Sequence, residues 1–334
     1  MMTQQIPSPA PTARGGLALA LVSAASFGAA GSFARSLSDA GWSPAATIAT
    51  RIGVAALLLM APALVALRGR WGALRRGAGI LVIFGLVTAA CQICYFNAIQ
   101  HLAVGVALIL EYLGTVLVVA WLWLRHGQRP RRLTVAGATV AMLGLALVID
   151  TSGHARFDFV GVLWALGAAV GLAAYFVLSA DEAADLPPVV VASGGMGVGA
   201  ATLLVLGALG FMPLDATFGT VALAGHRTSW LVPTIGISLV SAAIAYVAGI
   251  SAARRLGPKV ASFVGLTEVV FAVLFAWLFL AELPTAIQLV GGVLIVVGAS
   301  LVRIDELAAT SIAPAYRSCG EVGSPATQPV DAPI

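Results

Sequence analysis

Long apolar segments, repeated along most of the chain, constrain the fold of this protein more than any other feature of its sequence. Residues 104–124, VGVALILEYLGTVLVVAWLWL, contain no basic side chain and a single carboxylate, Glu111. A helix of about 20 residues, rising 1.5 Å per residue, is long enough to cross the hydrocarbon core of a bilayer. A chain built mainly from such segments is expected to be a polytopic membrane protein.

Composition agrees with this class and argues against others. Apolar residues make up 60% of the 334 residues, charged residues only 10%, and the mean hydropathy is +1.00, whereas about 25% of a soluble domain is charged. The net charge of +4 does not indicate a nucleic-acid partner, because the arginines lie in short loops between apolar segments, where they orient the chain. Cys91 and Cys94 share one apolar segment, which predicts packing rather than a disulfide framework.

Ten segments are predicted to be membrane-spanning helices. Loops with glycine, proline or arginine, such as Gly127-Gln-Arg-Pro130, separate them and end the helices. Residues 1–13 and 304–334 lack apolar periodicity and are predicted to be disordered cytoplasmic ends. The expected fold class is an all-α polytopic membrane protein with ten transmembrane helices. The predicted segments are residues 16–36, 44–67, 78–100, 104–124, 133–150, 159–180, 188–211, 230–252, 260–280 and 285–302.

The distribution of basic residues predicts the orientation of these helices. If the N-terminus is cytoplasmic, only Arg35, Arg156 and Arg227 of the 18 lysines and arginines lie in external loops, and Arg51 lies within the second segment. Basic residues accumulate in cytoplasmic loops. We therefore expect a multi-pass protein of the inner (plasma) membrane with both termini in the cytoplasm.

The chain also contains an internal repeat. A shift of 154 residues aligns residues 102–149 with residues 256–303 without a gap. Each copy holds five predicted helices, an odd number, so the second copy enters the membrane from the opposite side. We therefore predict two inverted five-helix repeats, residues 14–150 and 151–303, an arrangement in which secondary transporters bind their substrates near the bilayer midplane. The identical pairs include Trp123 and Trp277, Pro130 and Pro284, Gly137 and Gly291, and Gly144 and Gly298.

Several motifs lie in and after the fourth and ninth predicted segments. They are Ala107-Leu-Ile-Leu-Glu-Tyr-Leu-Gly114, Arg129-Pro130 with the glycines that follow, and Ala276-Trp-Leu-Phe-Leu-Ala-Glu282. Together they resemble the EamA family of the drug/metabolite transporter superfamily, and the Leu-Glu-Tyr-Leu-Gly stretch is similar to its threonine/homoserine exporter branch. The resemblance implies ten helices around a central cavity lined by both halves. The family often has proline where this chain has Thr115 and Val269, which implies less kinked fourth and ninth helices.

Two carboxylates within apolar segments are the principal candidates for a functional site. Glu111 lies about eight residues, or ~12 Å, from the external end of the fourth segment, and Glu268 lies at comparable depth in the ninth. An ionisable side chain in a membrane helix usually faces a cavity or a partner. The two are not repeat equivalents, because Glu268 aligns with Gly114 and Glu111 with Gly265, which predicts an asymmetric site. A buried carboxyl group that exchanges protons near neutral pH permits proton coupling.

Other polar side chains in the apolar segments are candidates for substrate binding or coupling. A serine in a membrane helix usually bonds to the preceding turn or to a neighbouring helix, so a structural role is the alternative for Ser241. The further candidates are Gln92, Tyr95 and Asn97 in the third segment, Tyr175 in the sixth, and Ser241 and Tyr246 in the eighth.

Arg51, seven residues into the second segment, has two interpretations. Its long side chain could extend outward to the membrane interface, as arginines near helix ends do. Alternatively, it extends into an outer vestibule, where it pairs with Glu111 or Asp39 or attracts a substrate carboxylate. The sequence leaves both interpretations open.

The motifs of hydrolases, metalloproteases and ATPases are absent from the sequence, and the four histidines lie in loops or at segment ends. We therefore expect no enzyme activity, no cofactor and no metal. The expected function is secondary active export of a small metabolite such as an amino acid, by alternating access and with proton coupling as an option. The alternatives are an importer or facilitator of a small metabolite or drug, and a scaffold or receptor without transport. The expected partners are a small-molecule substrate and the lipid bilayer; the sequence does not distinguish a monomer from a homodimer.

Overall fold

The computed structural model describes residues 11–102, 104–148, 158–182, 185–223, 225–280 and 283–320, most of which are helical. The first half of the chain forms α1 (Pro11–Gly28), α2 (Ala30–Asp39), α3 (Pro44–Ala66), α4 (Trp71–His101), α5 (Val104–Tyr112), α6 (Gly114–His126) and α7 (Arg132–Val148). The second half forms α8 (Phe159–Ala180), α9 (Pro188–Ala208), α10 (Leu231–Ser238), a π-helical segment (Leu239–Ile244), α11 (Ala245–Gly265), α12 (Thr267–Leu280) and α13 (Ala286–Gly320).

Eight helical stretches within the described residues are long and apolar enough to cross a membrane. Two shorter apolar helices, Arg132–Val148 and Thr267–Phe279, correspond to the predicted fifth and ninth segments. One stretch, Leu231–Gly265, joins the predicted eighth segment to the start of the ninth. The chain turns within this stretch, because Gly257 has φ of 77° and ψ of 161°, outside the helical region.

Local sequence signals set several helix ends. Ser43 precedes α3 and accepts a hydrogen bond from the amide of Ala46 at 3.2 Å, which satisfies an amide without a helical partner. Asp158 plays the same role for α8 through the amide of Val160 at 2.8 Å. At the other end, Gly127 adopts a left-handed conformation and terminates α6.

The chain ends differ from the predicted disordered segments. α1 already begins at Pro11, inside the predicted segment 1–13, and α13 continues to Gly320, well past residue 304. The start of this extension is anchored, because the Thr134 hydroxyl of α7 donates a hydrogen bond to the buried Asp305 carboxylate. The remaining parts of the two predicted segments, residues 1–10 and 321–334, lie outside the described residues.

The loop between α9 and α10 contains a short hairpin that the sequence analysis did not predict. β1 (Thr220–Leu223) pairs antiparallel with β2 (His226–Ser229). The turn contains Gly225 with a positive φ of 76°, a conformation that glycine adopts without steric cost. Strands of only four residues are too short to leave a clear alternating pattern in the sequence.

α7 and α13 pack closely, with glycine against glycine. A Cβ built on Gly137 would lie 2.8 Å from the carbonyl oxygen of Gly298, and one built on Gly144 would lie 2.6 Å from that of Gly291. Small residues allow such close approach of membrane helices. Gly137 thus meets the repeat equivalent of Gly144, and Gly144 meets the repeat equivalent of Gly137. Since the earlier glycine of α7 contacts the later glycine of α13, the two helices run antiparallel.

Candidate functional site

Four interruptions of helical structure lie around the centre of the described bundle. α1 and α2 are separated at Ala29, α5 and α6 at Leu113, and α11 and α12 at Leu266, while the π-helical segment 239–244 joins α10 to α11. Irregular backbone at membrane depth is tolerated where it is buried in protein or lines a cavity. The interruptions therefore mark the level at which a binding site is expected.

Threonine hydroxyls stabilise two of these interruptions. Thr115 donates a hydrogen bond to the carbonyl of Tyr112 at 2.9 Å, and Thr267 donates one to the carbonyl of Val264 at 2.7 Å. Each hydroxyl takes up a carbonyl three residues earlier, which bends or breaks a helix much as proline does. The expectation that these helices are less kinked than those of relatives with proline stays a prediction.

A cavity of about 440 Å³ lies among these interrupted helices. Residues from α1, α2, α3, α4, α5, α8, α10, α11 and α12 line it, so both copies of the repeat contribute. Seven predicted site residues face this cavity; that they bind substrate stays a prediction. They are Arg51, Gln92, Tyr95, Glu111, Tyr175, Tyr246 and Glu268.

The two carboxylates lie on opposite sides of their helix interruptions. Glu111 is in the last turn of α5, and Glu268 is in the first turn of α12. They are close enough to interact electrostatically. The Cys91 Sγ lies 3.6 Å from Glu111 Oε1 and 3.4 Å from the carbonyl oxygen of Ala168, and its single proton can be donated to either acceptor. The Tyr112 hydroxyl interacts with Glu268. Each carboxylate therefore has its own neighbour, as the predicted asymmetry requires.

Arg51 extends inward, so the interpretation that it reaches out to the interface is wrong. Its guanidinium Nη2 donates a hydrogen bond to the main-chain carbonyl of Ser241, and its Cζ lies 5.6 Å from the centre of the Phe27 ring. Asp39, one of the predicted partners, instead pairs with Arg35 at 3.3 Å. Among the described residues no ion pair joins Arg51 to Glu111, the other predicted partner.

Two carbonyls in and directly after the π-helical segment accept hydrogen bonds from other helices. A π-helical segment replaces the usual i→i+4 bonds by i→i+5 bonds, and such segments are frequent at functional sites. Ser241 lies within the segment, and Ala245, directly after it, accepts a hydrogen bond from the Ser23 hydroxyl at 2.8 Å. The irregular backbone thus fixes both α1 and α3.

Two predicted site residues do not line the cavity. The side-chain amide of Asn97 donates to the carbonyl of Ile93, one turn earlier, at 2.8 Å. The Ser241 hydroxyl is buried elsewhere, and only the main-chain carbonyl of this residue takes part in the site through Arg51. We correct both assignments: a helical serine or asparagine readily bonds to its own backbone or packs between helices.

Aromatic rings form a continuous group beside the cavity. The ring of Tyr246 lies 5.2 Å from that of Phe27 and 5.6 Å from that of Tyr175, and the Tyr175 ring lies 5.7 Å from that of Phe84. Edge-to-face contacts at such distances stabilise ring clusters. Within this group the side chain of Tyr246 interacts electrostatically with Arg51.

One end of the cavity is closed by apolar packing between α1 and α11. Ala20 and Ala252 line the cavity and belong to a buried cluster with Leu256 and Val260. Gly16 brings the helices together, since a Cβ built on it would lie 2.8 Å from the Leu256 side chain. No space remains for a side chain at this position unless the neighbouring side chains move.

Sequence reasoning missed Cys91 and Tyr112 as lining residues. Cys91 was assigned to packing, and it does pack, because a Cβ on Gly171 would lie 2.6 Å from the Cys91 Cβ. It also lies on the helix face of Tyr95, four residues later, so helical periodicity could have placed it at the site. Tyr112 directly follows Glu111 in the sequence, and only the break after it turns its hydroxyl toward Glu268.

Among the described residues no group of three or more metal-ligating side chains is placed to hold an ion.

Comparison with known proteins identifies the family. The sequence profile of the EamA-like transporter family matches residues 14–150 and 159–304, which is most of the chain. The chain belongs to this family. It is a multi-pass membrane protein with two EamA repeats, since the family profile matches twice and the helices are apolar. Membership of this family indicates a transporter of small molecules rather than an enzyme.

Relatives of this EamA-family chain include named exporters. It is 27% identical to an uncharacterized transporter of Archaeoglobus fulgidus over 65% of this chain and 73% of that one. It is 25% identical to the pseudopaline exporter CntI of Pseudomonas aeruginosa (67% and 74% covered) and 26% identical to the threonine/homoserine exporter RhtA of Escherichia coli (63% and 65%). A solved crystal structure with 21% identity superposes with a TM-score of 0.69 over 88% of this chain and 98% of its own, and thus shares the fold.

Proposed function

We propose that this protein is a secondary active transporter of the inner membrane that exports a small metabolite, such as an amino acid. The observation that carries the proposal is the cavity at the helix interruptions, which Arg51, Glu111 and Glu268 line together with residues from both repeats. Charged side chains within membrane helices are costly and mark substrate or ion pathways. Export is supported by the relatives named as exporters, whose substrates are amino acids or a different small metabolite.

The proposal includes ten membrane-spanning helices in two inverted repeats. The crosswise glycine contacts of α7 and α13 support it, because Gly137 meets Gly298 and Gly144 meets Gly291. A two-fold axis between two copies produces this reciprocal pattern, in which residue i contacts j and j contacts i. With α7 and α13 antiparallel, such an axis lies in the membrane plane, as in an inverted repeat. The distribution of basic residues supports cytoplasmic termini.

Alternating access would proceed by separation of the helices that now close one end of the cavity. That end holds Gly16 and Leu256, and in the proposed orientation it is the cytoplasmic end. Arg254 reinforces it by donating a hydrogen bond to the carbonyl of Leu186 at 2.7 Å, and Arg70 pairs with Asp185 at 2.9 Å. If the termini are cytoplasmic as proposed, the described conformation is closed toward the cytoplasm.

Proton coupling would use the two carboxylates. Glu111 and Glu268 face one cavity and interact with each other, so a proton bound between them can be exchanged for a cationic group of the substrate. The two neutral partners, Cys91 and Tyr112, remain in place during such an exchange.

Exchange of labelled substrates in proteoliposomes tests this function. A pool of amino acids and amphiphilic metabolites is loaded inside, and a pH gradient is applied; we expect gradient-dependent flux that is abolished in Glu111→Gln. The matched control is Asp39→Asn, an exposed carboxylate paired with Arg35, which should transport normally. Flux that Glu111→Gln leaves unchanged contradicts the proposal, and absence of flux for every compound favours a scaffold or receptor.

A further inference from the structure

Four arginines lie close together where α6 ends and α7 begins. Residues 125–132 read RHGQRPRR, and no acidic residue occurs anywhere between Tyr112 and Val148. All four arginines are exposed, and within the described part of the chain none of them forms an ion pair. The α6–α7 loop therefore carries a concentrated positive charge that the protein itself does not neutralise. The four side chains are those of Arg125, Arg129, Arg131 and Arg132.

The acidic side chains near the end of α13 do not compensate this charge. α13 reaches the start of α7, where Thr134 donates a hydrogen bond to the buried carboxylate of Asp305. The next residue, Glu306, forms an ion pair with Lys259 of α11. Both carboxylates are thus engaged with partners other than the arginines of the loop.

An exposed apolar face of α6 leads directly to these arginines. Leu117, Trp121, Leu124 and Arg125 are spaced by four, three and one residues, so they lie on one face of the helix. The three apolar side chains are exposed, Leu124 at 82%, and Trp123 is exposed beside them. Tryptophans are enriched at the level of the lipid headgroups. The face combines a surface for acyl chains with positive charge at the depth of the phosphates.

The equivalent loop of the second repeat lacks this charge. Pro130 and Pro284 occupy the same position in the two loops, so the turn itself does not require basic residues. Excess positive charge in a loop helps to orient a membrane protein, but orientation alone does not need an apolar face beside it. The repeat equivalents of the four arginines are Phe279, Leu283, Thr285 and Ala286.

We propose that the α6–α7 loop and the exposed face of α6 form a binding site for an anionic phospholipid of the phosphatidylglycerol type. The guanidinium groups bind the lipid phosphate, since arginine matches phosphate oxygens with two parallel hydrogen bonds. The acyl chains lie along Leu117, Trp121 and Leu124. Four or more basic residues directly beside a membrane helix are typical of anionic-lipid recognition. The inference requires only that the helices span the membrane and is independent of the proposed transport function.

Lipid titrations of the purified full-length protein in neutral detergent test the site. Thermal unfolding is measured with dioleoylphosphatidylglycerol, with zwitterionic dioleoylphosphatidylcholine and with free glycerol phosphate. Half-maximal stabilisation should require at least about tenfold less of the anionic lipid than of the zwitterionic one, because each basic side chain near an anionic surface strengthens binding about fivefold. Glycerol phosphate should not stabilise at these concentrations. Equal effects of the two lipids overturn the proposal, and equal effects of lipid and glycerol phosphate show a phosphate site that does not recognise lipid.

The double variant Arg129→Gln, Arg131→Gln locates the site on the protein. It keeps Arg125 and Arg132, so the loop remains basic and the chain keeps a signal for its orientation. The preference for the anionic lipid should fall at least about fivefold. A preference equal to that of the wild-type protein places the lipid elsewhere and contradicts the assignment.

The matched control removes the same charge from another loop. Arg68 and Arg75 are exposed on either side of the start of α4, close in sequence to Arg70, whose charge is paired with Asp185 at 2.9 Å. The double variant Arg68→Gln, Arg75→Gln should keep the wild-type lipid preference. An equal loss in both double variants would mean that only the net charge of the protein attracts the lipid, and the proposed site would be wrong.

Discussion

Gly28 lies directly against the main-chain carbonyl of Glu268: a Cβ built on this glycine would stand 2.8 Å from that oxygen. The same Cβ would lie 2.8 Å from the Cβ of Phe271 and 2.9 Å from the amide nitrogen of Ala272. The first turn of α12, which carries the Glu268 side chain, therefore takes its position from the end of α1. No other residue type fits there unless the two helices move apart.

Gly28→Ala is expected to impair transport and to destabilise the protein by about 1–3 kcal/mol, the usual cost of overpacking. The added methyl group would displace Glu268 from its place opposite Glu111. Gly31→Ala is the matched control, because Gly31 lines the same cavity one turn later and has nothing within 4 Å of its Cβ position. Transport assays and thermal unfolding measure both effects; equal behaviour of the two variants contradicts the packing argument.

The glycine contact between α7 and α13 predicts a stability effect away from the cavity. Gly144→Ala places a methyl group 2.6 Å from the carbonyl oxygen of Gly291 and should destabilise the protein by about 1–3 kcal/mol. Gly79→Ala on α4, whose Cβ position is open, should be neutral or slightly stabilising, because alanine favours helix more than glycine does. Substrate affinity should be retained in any Gly144→Ala protein that folds; thermal unfolding and ligand binding check the two expectations separately.

The closed end of the cavity predicts that a crosslink arrests the transport cycle. The Cβ position of Gly16 lies 3.0 Å from the Cβ of Arg255, about 0.5 Å below the range found in disulfides, so the bond forms once the two helices move slightly apart. Oxidation of a Gly16→Cys, Arg255→Cys double variant should abolish flux, and reduction should restore it. The single variant Gly16→Cys controls for the native cysteines and should not respond to oxidant. Full flux in the crosslinked protein would mean that this end does not open during transport.

A pH effect is expected at the start of α8. The hydrogen bond with His101 at 2.8 Å, together with the amide of Val160, holds the pKa of Asp158 below its usual range. A lowered pKa in the folded state means that the ionised carboxylate stabilises the fold above about pH 4 and that this contribution is lost as the pH falls through the folded-state pKa. Asp158→Asn keeps a side chain suited to capping but cannot titrate, so its thermal stability should decline less between pH 5 and pH 3, approximately the range of this titration. An identical decline in both proteins would exclude a contribution from Asp158.

The sequence predicts most of the helical bundle, because a bilayer demands long apolar helices and each one leaves a clear segment in the chain. The repeat alignment also predicts that Glu111 and Glu268 are not equivalent positions. In the structure Glu111 precedes the helix interruption at Leu113, whereas Glu268 follows the one at Leu266. The interruptions themselves could not be predicted from proline, since they occur without it, two of them beside threonine hydroxyls that bond to the preceding turn, such as that of Thr267. Likewise, nothing in the sequence distinguishes Asn97, which bonds to its own helix, from Gln92, which faces the cavity.

The π-helical segment means that the helical stretch from α10 to α11 carries one residue more than an uninterrupted α-helix would need for the same rise. Removing that residue would turn everything beyond it by about 100° around the helix axis, withdrawing the carbonyl of Ser241 from Arg51 and rotating Tyr246 away from the cavity. Arginine at position 51 and the extra residue between positions 239 and 244 are thus expected to be gained and lost together among EamA proteins. An alignment gap at this point should mark relatives that recognise a different substrate charge.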